Sequence, residues 1–148
     1  MPSIFEKVTD GMKTALDSLD STEKIVAYGE RLFFGMDKET VYVLFLDSRS
    51  CFVDCARLAG GSSSGAEVNL RSIVKSTSIQ RSAEAVILHN HPCGSWEVST
   101  ADRDFTARAA ELFFMLDVEV TRHIVITKER YAEVAENNEA NMQSLLYR

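Results

Sequence analysis

Two histidines, His89 and His91, stand one residue apart at the end of a short apolar run. On an extended strand, residues two apart point to the same face, so both imidazoles can reach a single ion. Imidazole nitrogen is a good ligand for Zn²⁺. Many His-x-His pairs are ordinary surface residues at strand ends. The spacing alone is therefore compatible with either a metal site or a pair of surface histidines.

The residues that follow the two histidines favour the metal site. Pro92 and Gly94 must end the strand, and Asp102 falls in the first turn of a predicted helix. This turn can bring the carboxylate back over the carboxyl end of the strand, where ligands bind in open α/β sheets. Two imidazoles and one carboxylate leave one tetrahedral position for water, as in catalytic zinc sites. Ser99 and Asp102 also form a helix-capping pattern, and the two interpretations are compatible.

The elements that must position these residues alternate between helices and strands. Apolar residues at three- and four-residue steps predict an amphipathic helix over residues 3–17 and a second one from Ser21 to Gly35. The predicted strands cover residues 41–46, 51–56, 85–88, 118–126 and 131–134, the last as an edge strand, and the further predicted helices cover 69–79, 99–116 and 136–147. This interleaving predicts an α/β fold in one layered domain.

The chain is expected to divide into a short extension and one domain. Residues 1–20 form an N-terminal helical extension in this prediction, which packs on its own domain or makes a partner contact, as in a homo-oligomer. Residues 21–148 form the domain. The Gly- and Ser-rich stretch 60–65 is too short for a linker between domains, so it is predicted to be a loop.

The composition is that of an acidic globular protein. The 148 residues carry a net charge of −6, with 45% hydrophobic and 26% charged residues. There is no apolar run long enough for a membrane span, and the first residues do not resemble a secretory signal. Three cysteines without such a signal indicate reduced thiols and a cytoplasmic protein. The negative charge gives no support to nucleic-acid binding, which depends on Lys and Arg.

The complete motif resembles that of a known family. The spacing of His89, His91, Pro92, Ser99 and Asp102 is similar to the JAMM (MPN-plus) metalloprotease motif. The run His89-Asn90-His91-Pro92-x-Gly94 is similar to the RadC-type branch of that family in particular. The segments 39–47, 61–73 and 123–126 resemble the same branch, so the resemblance covers roughly residues 21–134.

The resemblance implies a fold and a set of roles. The fold would be a mixed central sheet flanked by helices, a JAB/MPN three-layer sandwich related to cytidine deaminases. His89, His91 and Asp102 would hold Zn²⁺, Glu39 would act as the general base, and Ser99 would donate a hydrogen bond to the developing oxyanion. The reaction would be hydrolysis of an amide bond in a peptide or protein. Without the resemblance, Glu39 would be read as an exposed surface charge.

Several other residues receive lesser predictions. Cys93 stands where the family usually has a serine and is predicted to be an ordinary turn residue. Trp96 is either the floor of a substrate groove or an ordinary loop aromatic. Cys51 and Cys55 are predicted to be buried thiols, and His123 is predicted to be a strand histidine near the site that is not a ligand.

Two further functions stay open from the sequence. One is a non-catalytic or DNA-repair-associated module, as the historical name of the RadC family suggests. The other is a scaffold that binds protein partners and holds zinc for structure only. Substrate and oligomeric state do not follow from the sequence.

Overall fold

The structure, a computed structural model, describes residues 5–7, 18–58, 77–94, 99–134 and 146–147, together with residues 70, 73 and 75. Its strands are β1 (Phe5–Lys7), β2 (Val41–Leu46), β3 (Phe52–Leu58), β4 (Glu84–Asn90), β5 (Glu119–Ile126), β6 (Arg130–Glu133) and β7 (Leu146–Tyr147). Its helices are α1 (Thr22–Phe33), α2 (Thr77–Gln80) and α3 (Thr100–Phe114). The strands form one seven-stranded sheet in the order β1-β3-β2-β4-β5-β6-β7.

The sheet is mixed, because β4 and β5 are parallel whereas the other neighbouring pairs in the described sheet are antiparallel. Strand β2, next to the central strand β4, is apolar at every position from Val41 to Leu46, and five of its six residues are buried. A strand with helices over both of its faces requires this pattern rather than strict polar alternation. The predicted α/β class with a mixed central sheet is therefore confirmed.

Two apolar clusters cover the opposite faces of the sheet. Successive side chains of a strand point to opposite faces, so alternate residues of β2 and β4 contribute to different clusters. One cluster joins alternate strand residues such as Leu44 and Leu88 to α1. The other joins residues such as Phe45 and Ile87 to α3, including Phe113. The result is three layers with the sheet in the middle.

The connection between β4 and β5 determines where a site can form. Parallel neighbours need a long crossover, and α3 lies within it. The first turn of α3 therefore follows the carboxyl end of β4, which carries His89. Strand β2 runs antiparallel to β4 with Val41 opposite His89, so the residues just before β2 reach the same edge of the sheet.

The two chain ends differ from the sequence prediction. A helix was expected over residues 3–17, but residues 5–7 form β1, which pairs with 56–58 of β3. An unpaired β3 would leave a row of backbone donors and acceptors open, and β1 satisfies part of that row. The rest of the predicted helix lies outside the described residues, and the boundary between extension and domain at residue 20 stays a prediction.

At the other end, residues 146–147 form β7 instead of the end of the helix predicted over 136–147. Residues 136–145 lie outside the described part of the chain. Because β7 pairs with β6, the strand predicted near residues 131–134 is not an edge strand. The pairing supplies the hydrogen bonds that the outer side of β6 needs.

The segment predicted as a helix over 69–79 is only partly described. Leu70 and Ile73 are helical and completely buried, and Lys75 lies in a turn before α2 begins. The loop predicted over 60–65 lies outside the described ranges. Within those ranges, the helices are too short or too polar to cross a bilayer.

Candidate metal centre

Four side chains converge where the carboxyl end of β4 meets the start of α3. They are Glu39, from the loop before β2, His89 in β4, His91 just after β4, and Asp102 in the first turn of α3. One nitrogen or carboxylate oxygen from each lies within 4.8 Å of the others. The structure thus brings together the three predicted metal ligands and the predicted general base.

The distances in this group fit a divalent metal. Nδ1 of His89 lies 3.2 Å from Oδ1 of Asp102. Nε2 of His91 lies 3.7 Å from Oε1 of Glu39 and 3.7 Å from Oδ2 of Asp102. Ligands about 2.0–2.1 Å from a tetrahedral Zn²⁺ stand about 3.3–3.4 Å apart, so this spacing is close to the spacing that a metal needs.

The unsatisfied nitrogen of His89 also fits a cation. Its Nε2 contacts Oε1 of Glu39 at 2.5 Å, whereas its Nδ1 is buried and has no hydrogen bond to any described residue, although Asp102 is close. Nδ1 thus faces the Asp102 carboxylate at 3.2 Å without a well-aligned hydrogen bond, and a cation shared by the two groups would complete both. The donors of the site are two imidazoles and two carboxylates, a set that suits a divalent transition metal.

The electrostatics of the group couple His89 to Asp102. Burial by itself would lower the pKa of His89, but the carboxylates of Asp102 and Glu39 outweigh burial and raise it. Burial by itself would raise the pKa of Asp102, but His89 and the hydrogen bonds from Ser99 outweigh burial and lower it well below its usual range. The site therefore favours a positive charge on His89 and a negative charge on Asp102.

Asp102 also caps its own helix. The backbone N–H of Ser99 donates to Oδ2 of Asp102 at 3.0 Å, and the backbone N–H of Asp102 donates to Oγ of Ser99 at 3.1 Å. This reciprocal pair is a capping box. Because Oδ2 serves the cap while Oδ1 faces His89, the observed capping box is compatible with the predicted metal role of Asp102. The role of Ser99 toward an oxyanion stays a prediction.

The comparison with known proteins agrees with this geometry. The family model described as RadC-like JAB domain matches residues 19–139. This chain belongs to that family. It is 36% identical over 134 residues to UPF0758 proteins of Aliivibrio fischeri (strain MJ11) and Aliivibrio salmonicida, covering 90% of the chain and 57% of each relative. It is 32% identical over 120 residues to a UPF0758 protein of Janthinobacterium sp. (strain Marseille), covering 81% and 54%.

The RadC-like resemblance seen in the sequence is thereby confirmed. The chain spans little more than half the length of these curated relatives. Their printed names state no activity, so the family membership establishes the domain type and leaves the reaction to be proposed from the site.

Two residues of the RadC-like site were not predicted from the sequence. Asn90, between the two histidines, is buried and hydrogen-bonds the backbone on both sides of Glu39. Thr106, one helical turn after Asp102, donates to the carbonyl of Asp102 at 2.8 Å. A signal existed for Asn90, because an amide inside an apolar strand must find hydrogen-bond partners.

His123 in β5 lies behind His89, with the two ring centres 5.9 Å apart. Its Nδ1 bonds to the Thr106 hydroxyl, and its Nε2 is buried without a partner among the described residues. Burial, with a smaller effect of the nearby His89, lowers the pKa of His123. His123 lies outside the group of four converging side chains, as the sequence prediction had it.

An apolar cavity of about 740 Å³ opens beside His91. It lies between the end of α1 and the end of β4, and its walls include Phe33, Met36 and Ile126. Cavities of this size hold small ligands or several side-chain-sized groups. Cys93 is exposed at the cavity and outside the group of four, and Trp96 lies outside the described residues.

The other two cysteines differ from each other. Cys55 in β3 is fully buried, as predicted, and burial raises the pKa of its thiol. The prediction that Cys51 is also buried is wrong, because it precedes β3 in the turn after β2 and is partly exposed. Its backbone N–H donates to Oδ1 of Asp47 at 3.0 Å.

Proposed function

We propose that this RadC-like domain is a zinc-dependent metallohydrolase that cleaves an amide bond in a peptide or protein. The observation that carries the proposal is the convergence of Glu39, His89, His91 and Asp102 at one point of the fold. In the proposal, the two histidines and Asp102 hold the ion, and Glu39 acts as the general base.

This division of roles rests on burial and on attachment to the fold. Asp102 is held by the capping box and its side chain is only 10% exposed, as suits a fixed ligand. The Glu39 side chain is 50% exposed and comes from a loop, as suits a group that must meet substrate and exchange protons. A bound zinc ion supplies Lewis acidity, which polarises a carbonyl and makes water nucleophilic near neutral pH.

Glu39 performs the proton transfers in this mechanism. Its carboxylate accepts a proton as the oxygen of a water molecule forms a bond to the carbonyl carbon. It then returns that proton to the leaving nitrogen as the carbon–nitrogen bond breaks, which gives a carboxylic acid and an amine. The 2.5 Å contact between Glu39 Oε1 and His89 Nε2 supports this role, because it keeps the carboxylate next to the proposed metal ligands.

Ser99 is assigned the stabilisation of negative charge on the carbonyl oxygen. Its Oγ accepts a hydrogen bond from the Asp102 backbone, and this contact does not use the hydroxyl hydrogen. That hydrogen is therefore a donor for the oxyanion. A donor of this kind contributes about 2.7–4 kcal/mol of transition-state stabilisation.

The substrate class follows from the surroundings of the site. The cavity next to His91 has mostly apolar walls, which suit an apolar side chain of a peptide, and its lining also includes Glu30, Asp37 and Lys128. The net charge of −6 disfavours nucleic acid as the ligand, since phosphate contacts need Lys and Arg. A peptide or protein substrate and a cytoplasmic location are part of the proposal.

The test separates metal binding from hydrolysis. Protein purified without chelator is expected to contain close to one zinc per chain, and Asp102→Ala is expected to lose most of it. Zinc-loaded protein is then incubated with a library of peptides and isopeptides, and cleavage is followed by mass spectrometry. Glu39→Gln, the matched control, is expected to keep the metal and lose hydrolysis. Cleavage that persists in Glu39→Gln contradicts the base assignment, and bound zinc without any cleavage supports a non-catalytic module.

A further inference from the structure

We propose that Asn90 is the positioning residue that fixes Glu39 toward the two histidines. Its role in a reaction rests on the proposed function above, whereas its effect on the position of Glu39 can be tested without any reaction. Asn90 is the residue between His89 and His91, and it is 4% exposed.

The contacts of Asn90 hold both peptide groups that flank Glu39. Its Oδ1 accepts a hydrogen bond from the backbone N–H of Thr40 at 2.5 Å, and its Nδ2 donates to the carbonyl of Lys38 at 3.1 Å. The carbonyl of Lys38 belongs to the peptide plane before Glu39, and the N–H of Thr40 belongs to the plane after it. Because peptide groups are planar, holding one atom of each plane restricts the direction in which the Glu39 side chain leaves the backbone.

A side chain has to complete the hydrogen bonding near Thr40, because the backbone pairing of β2 with β4 ends at this residue. The last backbone contact between the two strands runs from the N–H of Asn90 to the carbonyl of Thr40 at 3.3 Å. The N–H of Thr40 lies past this point, in a residue that is 5% exposed. A buried N–H without a partner costs free energy. The side-chain oxygen of Asn90 supplies the acceptor that a strand carbonyl would otherwise provide for the N–H of Thr40.

A second hydrogen bond holds the backbone around Glu39. The hydroxyl of Thr40 donates to the carbonyl of Lys38 at 3.1 Å, which closes the turn around Glu39 from within its own segment. Asn90 differs because it ties this segment to β4, the strand that carries His89. Within the register that β2 and β4 set, Asn90 therefore fixes the segment of Glu39 against the end of β4.

A merely structural asparagine would stabilise the fold without setting the geometry of Glu39. The direct reporter of that geometry is the 2.5 Å contact between Glu39 and Nε2 of His89. In metal-free protein at fixed pH, the Nε2 resonance of His89 reports this contact, and Glu39→Gln gives the reference spectrum in which the carboxylate is missing. A stability change alone does not move that resonance.

Two Asn90 variants and one control make up the experiment. Asn90→Ala removes both hydrogen bonds, and Asn90→Asp keeps the size and the acceptor for Thr40 but replaces the donor that faces Lys38. The control is Asp47→Ala, because Oδ1 of Asp47 also accepts from two backbone N–H groups, at 2.8 and 3.0 Å, in the turn at the far end of β2. The measurements are amide hydrogen exchange, the His89 spectrum, zinc affinity, and kcat and KM on any library substrate that the wild type cleaves.

In Asn90→Ala, exchange of the Thr40 amide is expected to rise about fivefold or more, the usual effect of losing one hydrogen bond. The His89 resonance shifts toward its position in Glu39→Gln, while zinc affinity stays near that of the wild type. On a cleaved substrate, kcat falls about 100-fold with little change in KM, as expected when a catalytic group is displaced by about 1 Å. Asp47→Ala leaves all of these quantities unchanged.

Asn90→Asp keeps the proposal testable if Asn90→Ala does not fold. It is expected to leave Thr40 exchange near the wild-type rate. Because the new carboxylate itself acts on His89, its His89 resonance is compared with that of Asn90→Asp/Glu39→Gln, and this difference is expected to be smaller than the difference between the wild type and Glu39→Gln. The proposal is overturned by an unchanged His89 resonance in Asn90→Ala, by an undiminished difference in the Asn90→Asp comparison, by equal effects in Asp47→Ala, or by a loss of zinc affinity in Asn90→Ala that accompanies the shift. If the zinc-loaded wild type cleaves nothing, the proposed function fails, and the Thr40 exchange and His89 spectra alone decide the role of Asn90.

Discussion

Asp102→Asn separates the capping role of Asp102 from its proposed metal role, because the capping box uses Oδ2 whereas Oδ1 faces His89. An asparagine keeps an oxygen that can accept from the backbone N–H of Ser99, now at 3.0 Å from Oδ2. It removes the negative charge that lies 3.2 Å from Nδ1 of His89. The helix start should therefore survive this substitution while the electrostatics of the site change.

The magnitude of the metal effect follows from the size of the site. Since the four donor atoms lie within 4.8 Å of one another, an ion among them is closer than about 4 Å to the Asp102 carboxylate. Opposite unit charges at about 4 Å attract by about 4 kcal/mol at an effective dielectric of about 20, which corresponds to about 1,000-fold in affinity. Because Zn²⁺ carries two charges, we expect Asp102→Asn to lose zinc affinity by at least about 1,000-fold.

Ser99→Ala is the matched substitution, because it removes the hydroxyl of the cap and keeps the carboxylate. Loss of a cap costs about 1 kcal/mol, or roughly 2–4 °C in Tm for a domain of this size. The assay is zinc affinity by chelator competition, together with thermal denaturation of metal-free protein. The reasoning is refuted if Asp102→Asn binds zinc as tightly as the wild type, since Asp102 would then be a capping residue only.

Three further predictions concern protonation and the contacts behind the site. Since zinc needs an unprotonated imidazole and the pKa of His89 is raised, zinc affinity should rise with pH through that pKa and level off above it. The stability of metal-free protein that comes from charged His89 should run in the opposite direction, present below about 6.5 and lost as pH rises through the raised pKa, which denaturation at a series of pH values can check. Thr106→Val should lower the free energy of unfolding by about 1–3 kcal/mol, because it leaves Nδ1 of buried His123 without a partner. Thr106→Ser, which keeps the hydroxyl, is the control in a urea titration, and equal losses in the two variants would contradict this account.

The ligand half of the site could be predicted from the sequence because its determinants are local. His89 and His91 share a strand end, and Asp102 follows in the same strand–turn–helix unit, so periodicity and turn residues suffice to bring them together. These three positions span fourteen residues at most, and no distant pairing has to be known. Short-range rules of this kind hold when the elements are long and strongly apolar.

Glu39 could not be placed from its own sequence context. Beside Lys38 it resembles any exposed charge, and it reaches the site only because Val41 pairs with His89 in the antiparallel register of β2 and β4. That register depends on contacts between residues about 50 positions apart, so it becomes visible only through the family resemblance or the structure. The supporting role of Asn90 depends on the same register.

The sequence predictions for the two chain ends were wrong for a different reason. Apolar residues at helical steps predicted a helix over residues 3–17, yet residues 5–7 pair with the outer side of β3. A short segment has weak local preference, so the demand of a sheet edge for partners decides its conformation. Residues 146–147, the end of another predicted helix, pair with β6 in the same way.

The separation of the site between two parts of the fold has a consequence for how the family can diversify. A β-α-β unit from Glu84 to Ile126 contributes both imidazoles and the aspartate, whereas the acidic residue that would handle protons arrives from a loop outside that unit. Under the proposed function, changes confined to this loop would remove the base while the unit that carries His89, His91 and Asp102 keeps its framework. Loss of activity in a RadC-like domain would then need only a single substitution at position 39.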